Sequence, residues 1–390
     1  MANTCKPRRS SHRLTVIFWS LALLPAGVTF AETQSGEIDS SQVPAVAVAK
    51  SRLEINGFVS LGYNYNFNDP RRRLNDYRVF DYRANSLSLD VAELVLQVPV
   101  SERNDVGFRF DVAVGNRVPK VAASSGLFRD EVTGEAENYD LQQFFGSWNT
   151  PIGKGVRVDI GKFMTHVGAE VVEGYDGFND NYTRGFLFGY AIPFAHTGVR
   201  ASYSFSSKLS GMVMLAQGWD NFTDNNSGKT YGAQLIFNVS PEVTLYTNTL
   251  SGPEQADNVR NKRSLIDLIG VFKLSDRFTV TLNYDAAKEQ RFDGVSNARW
   301  SGVAIYGRYN VSDRFAISSR YEQFEDKQGF RTGVSQRLRE WTITNEYRFG
   351  PQFLVRGDLR RDSSDHDVFQ KQASLSSNQS TVSLNGIYRF

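Results

Sequence analysis

The sequence predicts an all-β protein, a transmembrane antiparallel up-and-down β-barrel of about 16 strands. Apolar and polar residues alternate along most of the chain after residue 31, as where Arg109 and Asp111 separate Phe108, Phe110 and Val112. This alternation gives each strand one apolar and one polar face. Short and long connections alternate between the strands, which is typical of outer-membrane barrels. The chain also ends on an aromatic residue after an alternating strand.

The first 31 residues predict a cleaved secretory signal peptide. An apolar run, residues 14–24, follows the basic residues Lys6, Arg8, Arg9 and Arg13, and a small-residue site ends at Ala31. This order of basic, apolar and small residues favours export and cleavage near Ala31. A retained helical anchor is the alternative, but the run is too short to span a membrane.

Cleavage changes the charge and the cysteine content of the chain. The loss of four cations changes the formal net charge from +2 to −2, and the only cysteine, Cys5, is lost as well. A chain without excess positive charge gives nucleic acid no electrostatic support as a partner, and without cysteine it forms no disulfide. Residues 32–50 are expected to form a flexible periplasmic lead, because Pro44 argues against a paired strand there. The barrel is expected to span residues 51–390.

Sixteen alternating segments predict the strands, and most hold the roughly 9–11 residues that a tilted strand needs to cross a membrane. They are residues 53–65, 86–98, 106–115, 139–149, 155–163, 196–206, 209–219, 229–239, 243–251, 264–274, 278–288, 299–311, 314–324, 336–349, 353–361 and 380–390. The apolar phase of the second segment switches between Val91 and Leu94. This switch predicts a β-bulge near Val91 and Ala92.

The connections distinguish a barrel from a soluble β-sandwich. The polar corner Ser-Asp-Arg-Phe occurs at residues 275–278 and again at 312–315, and both copies predict tight periplasmic turns. The long connections are expected at 66–85, 116–138, 164–195, 220–228, 252–263, 289–298, 325–335 and 362–379. In a sandwich, connections have no reason to be sorted by length between the two rims. In lipid, every backbone polar group must be paired within the protein, so the sheet closes.

Aromatic residues at the strand ends predict two interfacial girdles. Phe278, Phe315 and Phe353 begin strands at the periplasmic end, whereas Trp219 and Trp300 lie at the opposite ends. Ordinary core aromatics are the alternative. The last strand ends at Tyr388 and Phe390, and this ending resembles the insertion signal of outer-membrane proteins, which makes the barrel-assembly machinery an expected partner.

The chain resembles a known family from residue 165 to residue 203, at residues 56–60 and at residues 90–96. The motifs are Gly168-Ala169-Glu170, Asn181-Tyr182-Thr183-Arg184 and His196-Thr197-Gly198-Val199-Arg200. They are similar to the OmpL-like β-barrel porins of Gram-negative bacteria, and the similarity covers most of the mature chain. The resemblance implies an outer-membrane barrel that passes small solutes and has no catalytic residues to carry over.

Charged residues of both signs are expected to face the lumen. The expected cations are Arg109, Arg157, Arg200, Arg308, Arg320, Arg356 and Arg360. The expected anions are Asp90, Glu93, Asp111, Asp159, Asp267, Asp285, Glu322, Glu340, Glu346 and Asp358. Rings of one sign select ions of the other sign, so this mixture predicts at most modest ion selectivity.

The long connection 164–195 carries four acids, Glu170, Glu173, Asp176 and Asp180. Our hypothesis is that it folds into the lumen as a constriction, with these acids facing Arg109, Arg157 and Arg200. A solvated outer loop is an equally weighted alternative. The predicted pore-lining set consists of these seven residues together with Asp111, Asp159, Arg320 and Arg356.

The sequence favours no catalytic site, metal or cofactor. His166, His196 and His366 are widely spaced, whereas zinc needs three or four converging ligands. The predicted function is therefore passive diffusion of small polar solutes or ions through a water-filled channel. An outer-membrane lipase or protease, or an adhesion barrel with a closed lumen, are the alternatives. The other expected partners are outer-membrane lipid, lipopolysaccharide phosphate at Arg71-Arg72-Arg73, and a second and third copy in a homotrimer.

Overall fold

The computed structural model describes residues 52–390, which form a closed antiparallel barrel of sixteen strands. The predicted signal peptide and lead lie outside the described residues. The barrel strands are β1 (Glu54–Asn66), β2 (Ser86–Val98), β3 (Asp105–Val114), β4 (Tyr139–Asn149), β5 (Arg157–Met164), β6 (Ala195–Ser204), β7 (Leu209–Ala216), β8 (Thr230–Ser240), β9 (Val243–Pro253), β10 (Lys262–Lys273), β11 (Phe278–Glu289), β12 (Ala298–Asn310), β13 (Phe315–Asp326), β14 (Gln336–Arg348), β15 (Phe353–Ser364) and β18 (Asn378–Arg389). Each overlaps one predicted segment, and the predicted fold class is confirmed.

The barrel closes between its first and last strands. β1 pairs with β18 in a register that places Val59 opposite Tyr388. At the seam, the Gly57 amide donates to the Phe390 carbonyl at 2.9 Å and the Phe390 amide donates to the Gly57 carbonyl at 3.1 Å. Strand pairing therefore continues around the whole circumference and leaves no sheet edge, which is the condition for a sheet in lipid.

Short and long connections are sorted to opposite ends of the barrel, which we call the short-turn end and the long-loop end. Three long connections contain further structure: a helix α1 (Val118–Ser125), a π-helical turn (Leu187–Ala191), and a hairpin of β16 (Phe369–Lys371) and β17 (Ser374–Ser376). Within residues 52–390, no helix is both long enough and apolar enough to cross a membrane.

A β-bulge lies beside the predicted position. The register of β1 and β2 passes from Ser60 opposite Val91 to Leu61 opposite Leu89, so Asp90 is the extra residue. At the bulge, the successive residues Asp90 and Val91 are both buried, and only 1% of Asp90 is exposed. It therefore adds a carboxylate to the lumen wall.

The barrel has an apolar outer face and a polar inner wall. On β1, Leu61 and Tyr63 point outward and are 48% and 40% exposed, whereas Ser60 and Asn64 point inward and are buried. The period of two in the sequence therefore divides the strand between lipid-facing and lumen-facing residues.

The apolar core of the protein lies inside the barrel, towards the long-loop end. It is formed by side chains of the long loops packed on inward-facing strand residues, among them Phe80, Phe186, Phe188, Phe194 and Phe324. The lumen at this end is thus filled by protein rather than lined by isolated side chains. The long loops supply apolar residues to the interior as well as polar residues to the surface.

The predicted girdle position of two tryptophans is wrong. Trp219 and Trp300 are 5% and 1% exposed and lie inside the barrel at the long-loop end, with their ring centroids 6.3 Å apart. Trp300 Nε1 donates to the Ala191 carbonyl at 3.0 Å, so the indole fixes the turn of an inward loop. The alternative, a core position, is the correct one because the loops provide a core to join.

Candidate functional site

The connection between β5 and β6, residues 165–194, folds into the barrel, and we call it the inward loop. Glu170 is 4% exposed and forms an ion pair with Arg320 of β13. Glu173 is 3% exposed and lies 2.9 Å from Arg356 of β15. Because Arg320 and Arg356 point inward from strands across the lumen, the loop spans the interior instead of extending outward.

Glu173 lies at the centre of a buried cluster of three guanidinium groups. Its carboxylate oxygens lie 2.7 Å from Arg117 Nη1, 2.6 Å from Arg184 Nη2 and 2.9 Å from Arg356 Nη1. Burial alone would raise the pKa of Glu173, but these three cations outweigh burial and hold its pKa well below the usual range. Glu173 is therefore ionised whenever the loop is docked.

Wall carboxylates hold the inward loop by accepting its backbone N–H groups. The Gly168 amide donates to Asp267 at 3.0 Å, the Tyr175 amide to Glu93 at 2.7 Å and the Thr183 amide to Asp358 at 2.8 Å. The amides of Phe186 and Leu187 donate in the same way to Glu322 of β13. Several acids that the sequence assigned to the lumen thus bind the loop backbone.

Tyr182 anchors the loop against β1. It is fully buried, with Arg117 and Arg356 at 5.2 and 5.9 Å from its ring centroid. Its hydroxyl comes so close to β1 that a Cβ atom on Gly62 would lie 1.9 Å from the tyrosine oxygen. Gly62 is therefore required at this point by the close approach of the loop.

A charged cavity of about 390 Å³ remains beside the loop, on β2 to β8. Its wall includes five residues of the predicted pore-lining set, Arg109, Arg157, Asp159, Arg200 and Asp176. Asp111, which also belongs to the predicted set, does not line the cavity but is fully buried beside Arg109, 2.8 Å away. The cavity reaches the short-turn end, where residues 98–100 contribute to its lining.

The charges around this cavity differ in part from the expected pairing. Asp176 of the loop lies 2.6 Å from Arg109, as expected. Arg157 and Arg200, however, both bind Asp159 of the wall, each with Nε 2.9 Å from a carboxylate oxygen. Glu170 and Glu173 bind Arg320 and Arg356 and do not face Arg157 and Arg200, which the hypothesis expected of the loop acids. The loop crosses farther from β5 and β6 than the sequence suggested.

A second cavity, of about 560 Å³, lies at the short-turn end on β12 to β14 and the turn residues Asp276 and Arg277. There Asp180 of the inward loop lies 2.9 Å from Arg308, which also binds Glu346 at 2.7 Å. Asp180 keeps 45% of its side chain exposed. The four loop acids thus divide into two buried ones that fix the loop and two exposed ones that border cavities.

An aromatic and arginine cluster occupies the interior at the long-loop end. The Arg263 guanidinium lies 4.9 Å from the Trp219 ring centroid, and the Arg331 guanidinium lies 5.4 Å from the Trp300 centroid. Phe330 stacks on Trp300 with the centroids 5.6 Å apart. Cation–π and stacking contacts of this kind add to apolar burial, so the cluster packs two long loops, β7 to β8 and β13 to β14, onto residues of β10 and β12.

Sequence reasoning missed several buried ionic residues. Arg117 follows β3 and Arg184 lies in the inward loop, and both meet Glu173 only in the fold. Lys162 and Asp140 form a fully buried pair at 2.5 Å. Among these residues, the sequence pointed only to Arg184, because it belongs to the Asn-Tyr-Thr-Arg motif of the family resemblance.

The histidines do not form a metal site within residues 52–390, where no group of three or more metal-ligating side chains converges. His166 and His196 have ring centroids 6.1 Å apart, and His366 lies in the last long connection. Burial, with His196 and Arg200 nearby, lowers the pKa of His166 to about 3.

Comparison with known proteins places this geometry among bacterial porins. The family model described as "Putative beta-barrel porin-2, OmpL-like" matches residues 52–390. The fold is similar to the outer membrane channel DcaP of Acinetobacter baumannii, at 12% identity and a TM-score of 0.57 over 87% of this chain and 97% of that one. It is also similar to an anion-selective porin from Comamonas acidovorans, at 10% identity and a TM-score of 0.58 over 87% and 99%.

The trimer form of OmpT, an outer membrane protein of Vibrio cholerae, has the same fold at 11% identity and a TM-score of 0.56 over 87% of this chain and 99% of that one. No curated protein sequence matches the chain. At these identities, the similarity to solved structures establishes the fold alone.

Proposed function

The chain belongs to the OmpL-like β-barrel porin-2 family, and from this premise we propose that it is a channel for small polar solutes of the bacterial outer membrane, with the inward loop as its constriction. Membership of a porin family supports the channel function and the outer-membrane location. The roles of individual residues are our proposal. A channel agrees with the passive, non-enzymatic function that the sequence favoured.

One observation carries the proposal: the inward loop crosses the lumen and is fixed at both sides by charge. Glu170 and Glu173 bind arginines of β13 and β15, whereas Asp176 borders the charged cavity on β2 to β8. Solutes entering this cavity meet Arg157 and Arg200, which share Asp159, and the ion pair of Arg109 with Asp176. Charges of both signs along one passage favour neither ion strongly.

Single-channel conductance tests the constriction. A variant lacking residues 169–182 removes all four fixing and bordering acids, and we expect its conductance in planar bilayers to rise several-fold. Residues 131–134 lie exposed in another long connection, so their deletion is the matched control and leaves conductance unchanged. Equal conductance of the two deletions and the intact barrel would reject the constriction.

Solute flux separates the channel from its rivals. Liposomes containing the refolded barrel are expected to swell in small sugars, because a channel lets these solutes enter. A barrel lipase or protease, or an adhesion barrel with a closed lumen, requires no such flux. Impermeable liposomes together with hydrolysis of lipid or protein would favour the enzyme.

We also propose that residues 1–31 are a cleaved signal peptide and residues 32–50 a flexible lead. The basic and apolar segments before Ala31 support export, and Tyr388 with Phe390 supports recognition by the barrel-assembly machinery. The protein recovered from outer membranes is expected to begin at Glu32. An N-terminus at Met1 in that fraction would contradict cleavage.

The outer face supports association into a homotrimer. A shallow apolar groove of about 530 Å³ lies on β9 to β13, and Leu245, Leu268 and Leu282 are among its lining residues. Outward apolar residues elsewhere meet lipid, and exposed Arg71, Arg72 and Arg73 are available to lipopolysaccharide phosphate. A native mass of three chains in mild detergent is expected, and a mass of one chain would contradict the trimer.

A further inference from the structure

Within the charged cavity, two arginines share a single carboxylate. Asp159 accepts from Arg157 Nε and Arg200 Nε, both at 2.9 Å, and from the Ser147 hydroxyl at 2.6 Å. Asp159 itself is only 2% exposed. One carboxylate thus serves two guanidinium groups. Arg109 has two carboxylate partners, Asp111 and Asp176, so the charges of these three arginines and three aspartates balance.

The two guanidinium groups keep N–H donors that Asp159 does not bind. Among residues 52–390, the terminal nitrogens of Arg200 have no hydrogen-bond acceptor, and neither does Nη1 of Arg157, whose Nη2 donates weakly to Ser147 at 3.3 Å. The Arg200 side chain is 23% exposed and that of Arg157 is 45% exposed. Both guanidinium groups line the cavity. A planar fork of free N–H groups matches a carboxylate in a bidentate geometry.

Aromatic and other apolar side chains form one side of the cavity wall. The Arg200 guanidinium lies 4.3 Å from the ring centroid of Phe163 and 5.5 Å from that of Phe145. Stacking fixes the plane of the guanidinium, so its donors are oriented before a ligand arrives. Phe145 and Met212 also line the cavity. Its volume of about 390 Å³ falls within the roughly 300–1,000 Å³ of small-molecule sites.

We propose that Arg157 and Arg200 form a binding site for small organic monocarboxylates, with the carboxylate on the two guanidinium groups and an apolar body on Phe145 and Met212. This proposal rests on the proposed channel function, which would bring solutes to the cavity, but binding can be measured without flux. Bidentate, charge-assisted hydrogen bonds give the carboxylate its preference over a neutral group of the same shape.

Calorimetry of the refolded barrel with benzoate tests the site, and benzamide is the neutral probe of equal shape. We expect benzoate to bind at least about tenfold more tightly than benzamide. A hydrogen bond to a charged group raises the binding constant about tenfold more than one to a neutral group. Equal affinity, or no binding of benzoate, overturns the proposal.

Two variants locate the binding. Arg200→Gln and Arg157→Gln are each expected to weaken benzoate binding about tenfold and to leave benzamide unchanged. Arg157 is nearly half exposed, so its variant keeps the test valid if Arg200→Gln does not refold. Arg348→Gln is the matched control, because Arg348 is 40% exposed, pairs with Glu346 and lies outside this cavity. Unchanged benzoate affinity in both cavity variants, or an equal loss in the control, would refute the site.

Bilayer recordings without benzoate separate this inference from the channel function. A barrel that conducts but does not bind benzoate through these arginines rejects the site alone. A barrel that binds benzoate but does not conduct rejects the channel alone.

Discussion

Replacing Glu173 with glutamine should release the inward loop. The substitution removes the carboxylate shared by three guanidinium groups, those of Arg117, Arg184 and Arg356, all of which are at most 5% exposed at their side chains. Within the described barrel, only Arg117 of the three keeps a second ion pair, with Asp90 at 3.4 Å. Breaking a buried ion pair from one side costs about 3–5 kcal/mol, because the remaining charges stay buried without a partner. The hydrogen-bonding capacity of glutamine favours the lower end of this range.

About 3 kcal/mol corresponds to roughly a hundredfold shift towards the undocked loop. Trypsin reports this shift directly, because it cleaves after Arg184, which is 3% exposed in the docked loop. When the loop redocks faster than trypsin cuts, the cleavage rate follows the population of the undocked form. We therefore expect cleavage after Arg184 to accelerate about a hundredfold in Glu173→Gln.

Asp180→Asn is the matched control in the same loop. Its pair with Arg308 is 45% exposed at the carboxylate, and a solvent-exposed pair contributes only about 0–1 kcal/mol. Cleavage after Arg184 should then change by no more than about fivefold. If Glu173→Gln is cleaved no faster than Asp180→Asn, the three-arginine cluster does not hold the loop.

Three further predictions concern pH, packing and assembly. The pKa of His166 is lowered to about 3 in the docked loop. In the undocked loop its pKa returns to about 6.5, so the undocked form takes up a proton as the pH falls below that value. Acidification to pH 5 therefore favours undocking by about 2 kcal/mol, and conductance should rise in wild type and less in His166→Gln. Gly62→Ala should weaken loop docking by about 1–3 kcal/mol, and faster trypsin cleavage would show this. Adding Tyr182→Phe to that variant should restore part of the lost docking free energy. Deletion of Phe390 should lower the yield of heat-resistant barrel in outer membranes, whereas an unchanged yield would separate this residue from assembly.

The barrel could be predicted from the sequence because its strands are defined locally. The period of two and the alternation of short and long connections each depend on neighbouring residues, and they placed the strands to within a few residues. The bulge at Asp90 was also foreseeable, since it changes the apolar phase within a single strand.

The interior could not be predicted to the same extent because its contacts are distant in sequence. Glu173 and Arg356 are 183 residues apart, and no local pattern shows that the loop reaches β15 rather than β5 and β6. Trp219 and Trp300 were misplaced for the same reason. At the end of a strand, a tryptophan can face lipid or a core, and only the folded loops decide which.

The path of the inward loop has a consequence for biogenesis. The loop is synthesised between β5 and β6, yet the Phe186 amide and Arg184 meet residues of β13 and β15 that are 136 and 176 positions later in the chain. During export from the N-terminus, these later partners, an acceptor on Glu322 and a donor on Arg360, follow the loop, so its charges stay hydrated until they arrive. We therefore expect the loop to dock when the barrel closes between β1 and β18. An arrested or truncated chain should then leave the loop accessible to periplasmic proteases.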